Sequence, residues 1–599
     1  MNSTLGHYLV NDLLPEKYRS TTVLTKGALN NLLTRIAKDD PKAYVKIVGP
    51  VKKLGDELST LEGVSVGLDD IEPQYTTRDA IMKPAMEKIK HTKSPEEREK
   101  IILDTQEKML DHTRKDPGSL GMMSRSGARG NNSQLMKTVG SPVAALGGNG
   151  HITPWLIGKS YSEGLSPADY WVAGNEARIN TVKTSTSTAE PGDVSKIMVN
   201  TMYGLIISKQ DCGTHNGLPF ASNDPQAVDR YLSKDQAGFK YNDLVTPAVV
   251  AKIQSQTPHI FVRSPMTCDA HEGVCVKCQG LDENNHPHAL GVNVGVRSAN
   301  AMSEPLTQIA LNAKHGVRIL KSSVPKLSGL SGLRQLLDIP QSFFNKAPLA
   351  EHAGKVTSIK EAPHGGTYIY VNDTEHYAGP AQQPIVATGD VVEAGDRLAN
   401  GIPKPDEVVF HKGLGAGRQY LVDSLHDLYK DQGMDIDKRH FELLARADLG
   451  HVKLLESIDN HPEFIRGDYM PYETYKNIAN EKTKSMKVSD AEGQVLGKEV
   501  MYFTAGTPLT KSILTTLRSH DISHVDVSHS APVVEFIMRP ITRTPLLQTD
   551  WMARLAHRYL KEYLIHGAQY GDSSNSHGVN PVPAYAFGAS FGEAPEGRY

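Results

Sequence analysis

Residues 263–280 read RSPMTCDAHEGVCVKCQG and hold three of the four cysteines of the chain. Cys275 and Cys278 are separated by two residues, and Cys268 lies a short distance before them. A two-residue spacer lets neighbouring thiolates bind one tetrahedral ion, and adjacent glycines permit the tight backbone turn that this needs. Cys212, the fourth cysteine, would complete the set from a distant strand or loop. The pattern predicts a zinc-binding module over residues 201–290.

Two alternative roles for the cysteines stay open at this point: a redox-active CxxC pair, and buried cysteines that share no ligand. A third cysteine nearby and none left over favour zinc over both. His215 and His271 are close enough in sequence to compete as ligands, although four thiolates are the better set. Four thiolates fill a tetrahedral shell and leave no position for water, so the predicted zinc is structural.

The composition indicates a soluble protein of several domains, because 599 residues are too many for one hydrophobic core. A formal net charge of −3 gives no overall basic field, which argues weakly against a free-standing DNA-binding protein. The N-terminus lacks a basic segment followed by an apolar one, and no apolar stretch approaches the roughly 18 residues of a membrane span. We therefore expect a reducing, cytoplasmic location and no membrane contact.

Other motifs lie on both sides of the cysteines in a fixed order. They are GVSVGLDDIEP (63–73), SRSGARGNNSQL (124–135), KQDCGTHNG (209–217), GVNVGVRSANAMSEPLTQIALNAKHG (291–316) and a stretch that begins FHKGLGAGRQY (410–420). Together with the cysteine motif, they resemble the C-terminal half of the bacterial beta-prime subunit of multisubunit RNA polymerase, in the same order. The resemblance covers about positions 20 to 450 and fades beyond, where the Gly- and Pro-rich end is expected to be extended.

The resemblance implies a subunit of a DNA-directed RNA polymerase, which transfers nucleotides on a template. The catalytic aspartates of the family lie in an NADFDGD loop, and no D-x-D-G-D motif occurs in these 599 residues. The resemblance and the missing motif together predict a split subunit whose active-site Mg²⁺ is held by another chain. The expected partners are that chain, beta-type subunits, template DNA, the RNA transcript and nucleoside triphosphates. The drift of the motifs favours a large bacteriophage, with the enzyme in the host cytoplasm or the virion.

The stretch SEPLTQIALNAKH is similar to the first helix of the family's trigger loop. Pro305 suits a first helical position and Glu304 the positive end of a helix dipole, so a helix is expected to begin there. Gln308, Leu311 and His315 recur at helical spacing. By resemblance, Leu311 takes the place of a methionine that packs on the base, and His315 contacts the triphosphate. For an isolated helix, an amphipathic helix with a capping histidine would be the favoured explanation, and the matched neighbouring motifs reverse that preference.

Asn312 departs from the family, which commonly has arginine at this place. Asparagine can donate a hydrogen bond to a phosphate or ribose oxygen, but it brings no charge. Lys314 and Arg318 could partly compensate.

The same resemblance predicts a bridge helix over residues 165–200. Arg178 aligns with a family arginine, and Thr188 and Ala189 with the pair that lies under the templating base. Pro191 and Gly192 are expected to kink or loosen the helix. The local sequence TVKTSTSTAEPG would by itself suggest a Thr- and Ser-rich loop, because β-branched and hydroxyl residues are poor helix formers.

The predicted fold is an elongated α+β multidomain protein with helix-rich catalytic modules, a zinc-binding module and a β-rich insertion domain. Arg129 and Gln134 are assigned to the funnel and to the loop that braces the bridge helix. The expected domains are funnel helices (1–115), the GARG segment and bracing loop (116–164), the bridge helix (165–200), the zinc-binding module (201–290), the trigger loop (291–345), a β-rich jaw-like domain (346–412), and a helical clamp-associated region with a tail (413–599).

Two rival functions come from different classes. One is a zinc-containing nucleic-acid-binding or scaffold protein without enzymatic activity, and the second is a degenerate polymerase relative that regulates a host enzyme. The first would account for the cysteines and the missing aspartates. It does not account for SEPLTQIALNAKH, which follows the cysteine motif at the place of a trigger helix.

Overall fold

A computed structural model gives the fold and describes residues 5–63, 65–116, 118–145, 147, 152–186, 189–312, 327, 329–363, 365–380, 382–458, 461–547, 565, 568 and 569. These residues divide into two compact units. The first contains the described residues up to Thr186 together with Asn312, and the second contains the others. None of the described helices combines the length and the apolar character that a membrane span requires.

Helices make up much of both units. In chain order they are α1 (Leu5–Asp12), α2 (Lys26–Asp39), α3 (Pro41–Glu62), α4 (Tyr75–His91), α5 (Pro95–Thr113), α6 (Ser119–Ser126), α7 (Asn132–Leu135), α8 (Pro167–Thr186), α9 (Ala189–Met202), α10 (Pro247–Gln254), α11 (Val276–Gln279), α12 (Val294–Asn312), α13 (Gly329–Asp338), α14 (Pro405–Lys412), α15 (Leu414–Asp431), α16 (Lys438–Asp448), α17 (Tyr472–Asn480) and α18 (Lys511–Ser519). Short 3-10 helices lie at Glu16–Tyr18, Asp69–Ile71, Pro225–Ala227, Pro265–Thr267, Val488–Asp490 and Ile541–Leu547, and a π-helix at Met136–Gly140.

The strands form small, separate sheets in the second unit. They are β1 (Ile207–Lys209), β2 (Leu218–Ala221), β3 (His259–Val262), β4 (Val274–Cys275), β5 (Gly354–Glu361), β6 (Thr367–Val371), β7 (Thr374–Ala378), β8 (Val391–Val392), β9 (His451–Leu454), β10 (Tyr469–Pro471), β11 (Thr483–Lys487), β12 (Val495–Leu496), β13 (His524–Ser528) and β14 (Val534–Phe536). β1 pairs with β4 in parallel, and β2 with β3 antiparallel. The larger sheets have the antiparallel orders β7-β6-β5-β8, β10-β9-β14 and β11-β13-β12.

In the first unit, α4 and α5 pack on each other. The Ser94 side chain caps α5 by accepting from the Glu97 N–H at 3.4 Å, and Pro95 follows at the first helical position, where an N–H would have no intrahelical acceptor. Met82, Ile102 and Met109 are buried in a shared core. Both helices lie within residues 1–115, the range predicted for the funnel helices.

Helix α15 lies at the centre of the second unit. Ten of its 18 residues are buried, and α13, α14 and α16 all pack against it. The Tyr429 hydroxyl donates to the Met302 carbonyl of α12 at 2.8 Å inside the core. Because α12 and α13 both contact α15 or its side chains, the two helices that flank residues 313–328 are held by the same element.

Residues 346–412 contain the β-rich piece that the sequence predicted. Four antiparallel strands, β5 to β8, enclose a small core of their own that includes Val356, Ile369 and Val371. Asn372 turns the chain between β6 and β7 with φ 52°, a conformation that asparagine tolerates better than most residues. The segment ends in α14.

The prediction of a helical region over residues 413–599 is wrong for residues 451–536. Residues 451–536 alternate short strands with α17 and α18 and form two three-stranded sheets. The reason is visible in HVDVS (524–528), where Val525 and Val527 are buried on one face of the strand while His524, on the other face, is exposed. Except for residues 565, 568 and 569, the segment after 547 lies outside the described residues.

Asp448, the last residue of α16, is a buried acid. The Thr544 hydroxyl donates to Asp448 Oδ1 at 2.7 Å, whereas Oδ2 has no hydrogen-bond partner among the described atoms. Burial raises the pKa of Asp448 from 3.8 to about 7, with a smaller contribution from the charge of Asp338. The folded protein therefore binds a proton at this site more tightly than the unfolded chain does.

We expect the free energy of unfolding to fall as the pH rises from about 4 to about 7, by at most about 1.4 kcal/mol per pH unit from this group. Asp448→Asn should remove this contribution and make the protein more stable than the parent above about pH 7. Urea unfolding of both proteins at about pH 5 and about pH 8 measures the difference. An unchanged stability gap between the two proteins across these pH values would contradict the assignment.

Candidate functional site

The four cysteine sulfurs form one cluster. All four Sγ atoms lie within 4.8 Å of one another, and those of Cys212 and Cys278 are 3.7 Å apart. A tetrahedral zinc with Zn–S bonds of about 2.3 Å needs sulfurs roughly 3.8 Å apart, so the residues fit the metal. None of the four is in a disulfide. Among the described residues, this is the one group of three or more His, Cys, Asp or Glu side chains close enough to share an ion.

Strand pairing brings the distant cysteine to the others. Cys212 follows β1, Cys275 ends β4, and the parallel pairing of these strands sets Lys209 opposite Cys275. Cys278 lies in α11 and Cys268 directly follows the 3-10 helix Pro265–Thr267. The sequence prediction of a four-cysteine cluster is confirmed.

The competing histidines lie outside this cluster. His215 is exposed and stacks on Tyr241, with ring centroids 4.2 Å apart. His271 is also exposed. Neither is among the grouped ligand atoms, so the thiolate set is the better assignment.

The electrostatics of the cluster favour a bound cation. Cys268, Cys275 and Cys278 are almost completely buried. Burial raises the pKa of the Cys278 thiol, whereas hydrogen bonds from the Cys268, Cys275 and Cys278 thiols lower the pKa of Cys212. Four neighbouring thiols therefore resist losing all their protons together unless a metal ion balances the charge.

Helix α12 carries the predicted trigger residues but begins earlier than expected. Pro305 lies inside it, eleven residues after its first residue, Val294. Asn293 caps the helix: its Oδ1 accepts from the Val296 N–H at 2.9 Å, and its Nδ2 donates to the Tyr203 carbonyl at 2.8 Å. The prediction of a start at Pro305 is wrong, because this cap and the burial of the first turns outweigh the local proline signal.

The first half of α12 is embedded in the core. Val294, Val296, Ala299, Met302 and Leu306 are buried. A Cβ on Gly295 would lie 1.9 Å from the Met202 carbonyl oxygen, so only glycine permits the observed approach of α12 to the end of α9.

The end of α12 reaches the proposed substrate-contacting residues. Gln308, Leu311 and Asn312 have helical backbone in its last turns, but their side chains lie outside the described atoms. His315 and Lys314 lie outside the described residues altogether.

The predicted bridge segment is helical on both sides of residues 187 and 188, which include Thr188 and are not described. In α8, Asp169 is the only buried residue among the described side chains and accepts from the Trp155 indole N–H at 2.9 Å. Tyr170 and Trp171 are 71% and 69% exposed, and the Arg178 guanidinium lies over the Trp171 ring at 5.8 Å. The other described side chains of α8 are thus exposed or half-buried.

Helix α9 has one buried and one open face. Val194, Ile197 and Met198 lie in the core, while Ala189 and Gly192 are exposed. A Cβ on Gly192 would meet nothing within 4 Å. Pro191 and Gly192 both lie within the first turn of α9, where a proline removes no intrahelical hydrogen bond.

Gln134 and Arg129 both lie in the first unit, where Gln134 caps a helix and Arg129 is exposed. Gln134 belongs to α7, where Asn131 Oδ1 accepts from its N–H at 2.9 Å and its Oε1 accepts from the Asn131 N–H at 3.1 Å. This reciprocal capping box gives Gln134 a structural task. Arg129 is exposed in the turn after α6.

Sequence reasoning missed the buried Arg263, whose guanidinium Nη2 lies 3.1 Å from Cys212 Sγ and 3.4 Å from both Cys275 Sγ and Cys278 Sγ. A signal was available, because Arg263 opens the cysteine motif itself. A basic residue beside several thiolates is a candidate partner for their charge.

The comparisons with known proteins agree with this geometry. A family model described as RNA polymerase Rpb1, domain 5 matches residues 164–487, more than half of the 599 residues. The chain belongs to this family. The match contains α8, α9, the cysteine cluster and α12, and it continues past position 450, where the resemblance was expected to fade.

The relatives carry the name DNA-directed RNA polymerase subunit beta'. The protein of Kocuria rhizophila is 26% identical over 570 residues, which cover 88% of this chain and 43% of the relative. That of Moorella thermoacetica is 28% identical over 501 residues, which cover 77% of this chain and 43% of the relative. That of Caldicellulosiruptor saccharolyticus is 25% identical over 569 residues, which cover 86% of this chain and 47% of the relative. The chain thus spans less than half of the length of these relatives.

Cys275→Ser should abolish stoichiometric zinc binding and destabilise the fold around residues 205–285, because a structural zinc contributes folding energy directly. Metal analysis and hydrogen exchange of the purified chain measure both effects. His215→Ala, which changes an exposed neighbour outside the cluster, is the matched control and should keep its zinc. A Cys275→Ser protein with full zinc content and unchanged exchange in this region would contradict the assignment.

Proposed function

We propose that the chain is a subunit of a DNA-directed RNA polymerase and takes part in template-directed nucleotidyl transfer. The observation that carries this proposal is the continuous match of residues 164–487 to the Rpb1 domain 5 family, supported by similarity to beta-prime subunits over 88% of the chain. The proposed zinc in the cysteine cluster is structural. A large bacteriophage as the source stays a prediction from the drift of the motifs.

In this proposal, α8 and α9 belong to the bridge helix. The open face of α9 supports the idea, because Ala189 and Gly192 leave room beside the helix for a large flat group. A base pair of template and incoming nucleotide has that shape. By resemblance, Thr188 and Ala189 correspond to the pair that lies under the templating base, and Arg178 corresponds to a family arginine.

Residues 291–345 would act as the trigger loop. The N-terminal turns of α12 are fixed in the core, and α13 packs on α15 with Leu333, Leu336 and Leu337 buried. The segment that contains His315 therefore starts and ends on firmly packed helices. Such an arrangement suits an element that closes over a correct nucleotide and supplies donors to its phosphates.

The chemistry of nucleotide addition also needs Mg²⁺, which stabilises the charge on the triphosphate. Among the described residues, no cluster of carboxylates is close enough to hold such an ion. The 599 residues also contain no D-x-D-G-D motif. We propose that another polypeptide supplies those aspartates and that Gln308, Leu311, Asn312 and His315 contact the nucleotide from this chain.

The purified 599-residue chain should therefore show no RNA synthesis, because it supplies none of the expected magnesium-binding aspartates. Extension of a radiolabelled RNA primer on a template measures this, with a complete cellular polymerase as the positive control. Co-purification of a polypeptide that carries an NADFDGD-type motif should restore elongation. Elongation by the chain alone would refute the assignment of the aspartates to another polypeptide.

In the assembled enzyme, His315→Ala should slow addition of a matched nucleotide by one to three orders of magnitude, or about 1.4 kcal/mol for each factor of ten. DNA binding should be retained, because His315 would contact the triphosphate only in the closed state. Rapid-quench measurement of a single incorporation gives the rate. His286→Ala, a change at an exposed histidine of the zinc-binding module, is the control. An unchanged rate in His315→Ala would remove the trigger-loop assignment.

A further inference from the structure

Arg263 is completely buried, yet its charge is directed at sulfur atoms. Its Nη2 donates towards Cys212 Sγ at 3.1 Å, and towards Cys275 Sγ and Cys278 Sγ at 3.4 Å each. A guanidinium stays protonated in proteins, so Arg263 is a permanent cation in contact with three of the four thiols.

The other side of the guanidinium is fixed by the loop that carries Cys212 and by a neighbouring turn. Arg263 Nη1 pairs with Asp211 Oδ1 at 2.7 Å and donates to Asn242 Oδ1 at 2.7 Å. Asn242 in turn donates to Asp211 Oδ2 at 2.8 Å. These contacts connect Arg263, Asp211 and Asn242 in a closed network, so the guanidinium plane is fixed relative to the sulfurs.

Backbone groups complete the donors around the cluster. The Cys275 N–H points to Cys268 Sγ at 3.4 Å, and the Cys278 N–H to Cys275 Sγ at 3.3 Å. With Arg263, every sulfur of the cluster has at least one N–H donor. Hydrogen bonds of this kind stabilise thiolate charge and orient metal ligands.

We propose that Arg263 is a positioning residue of the zinc centre, which holds Cys212 against the Cys275–Cys278 pair and makes the thiolates less reactive. The inference rests on the zinc assignment made above. Zinc with four thiolates carries a formal charge of −2, which is costly in a buried space. A cation that donates to three of the sulfurs offsets part of this charge and withdraws electron density from them, so electrophiles and competing chelators attack them more slowly.

The test uses the full-length, zinc-loaded chain with Arg263→Lys. Lysine keeps the charge but is a point donor, and it does not reproduce the planar fork whose Nη2 contacts the sulfurs while Nη1 contacts Asp211 and Asn242. We expect zinc transfer to a chromogenic chelator, and alkylation of the cysteines by N-ethylmaleimide, to become about tenfold faster or more. In the cobalt-substituted protein, the sulfur-to-cobalt charge-transfer band should shift to lower energy, because the thiolates become better donors.

Arg230→Lys is the matched control. Arg230 is equally buried and pairs with Glu442 through 2.8 Å and 2.7 Å hydrogen bonds, but these contacts are with a carboxylate. Its replacement by lysine perturbs a buried arginine of the same unit, so it should leave the cobalt band in place. Asn242→Gly is a milder second variant that removes one anchor of Arg263 at a position with φ 67°, which glycine accepts. It should shift the band and the rates in the same direction as Arg263→Lys.

The outcomes distinguish failure of the zinc assignment from failure of the role proposed for Arg263. Absence of zinc from the unchanged protein overturns the metal assignment itself. Zinc in the unchanged protein, with release rates and a cobalt band that Arg263→Lys and Asn242→Gly leave unaltered, overturns the role of Arg263 alone. Equal acceleration in Arg263→Lys and Arg230→Lys without a band shift also overturns it, because the effect would then be a general loss of stability.

Discussion

The fold of the second unit depends on three charged side chains along one side of α16. Glu442 accepts from Arg230 and Ser264, Arg446 donates to the carbonyls of Pro265, Cys268 and Ala270, and Arg439 donates to those of Gln279 and Leu281. Each contact joins α16 to a different part of the cysteine-bearing segment. A buried charge that loses its partner costs several kcal/mol, so these contacts must form together. Docking of α16 and correct folding of the zinc-binding module are therefore one event.

The same packing gives the two helices beside residues 313–328 a common support. Helix α16 packs on α15, and α15 receives α13 on its surface and the Met302 carbonyl of α12 through Tyr429. Residues 313–328 are thus bounded by helices that share one support. Rigidity at the base matters for the proposed function, because a donor displaced by about 1 Å loses much of its effect on a reacting phosphate.

How far the sequence predicts this structure differs between its parts. Cys268, Cys275 and Cys278 could be assigned because ligand type and short spacing decide a metal site locally, and Cys212 because it is the one cysteine left. The strands of 354–392 could be predicted from alternation and turn residues. The start of α12 could not be predicted from the local sequence, since it depends on the contact of Asn293 with Tyr203, 90 positions away. The sheets after Asp448 pair segments that are far apart, such as β9 with β14, and no local pattern records such pairings. Helix α9 begins in a stretch of poor helix formers because burial of Val194, Ile197 and Met198 outweighs propensity.

The order of magnitude of the opposing free energies shows why Cys212 can lie so far from the other cysteines. Closing the loop between Cys212 and Cys268 costs entropy that grows only with the logarithm of its length, on the order of 4 kcal/mol for a loop of about 50 residues. Binding of a structural zinc by four thiolates releases about 10–16 kcal/mol at neutral pH, which exceeds that cost several-fold. Zinc binding would therefore offset the entropy of closing this loop by itself. Arg263 would then hold sulfurs that the ion has brought together. Its partners fit this role, because Asp211 directly precedes Cys212 and Asn242 lies within the loop between Cys212 and Cys268.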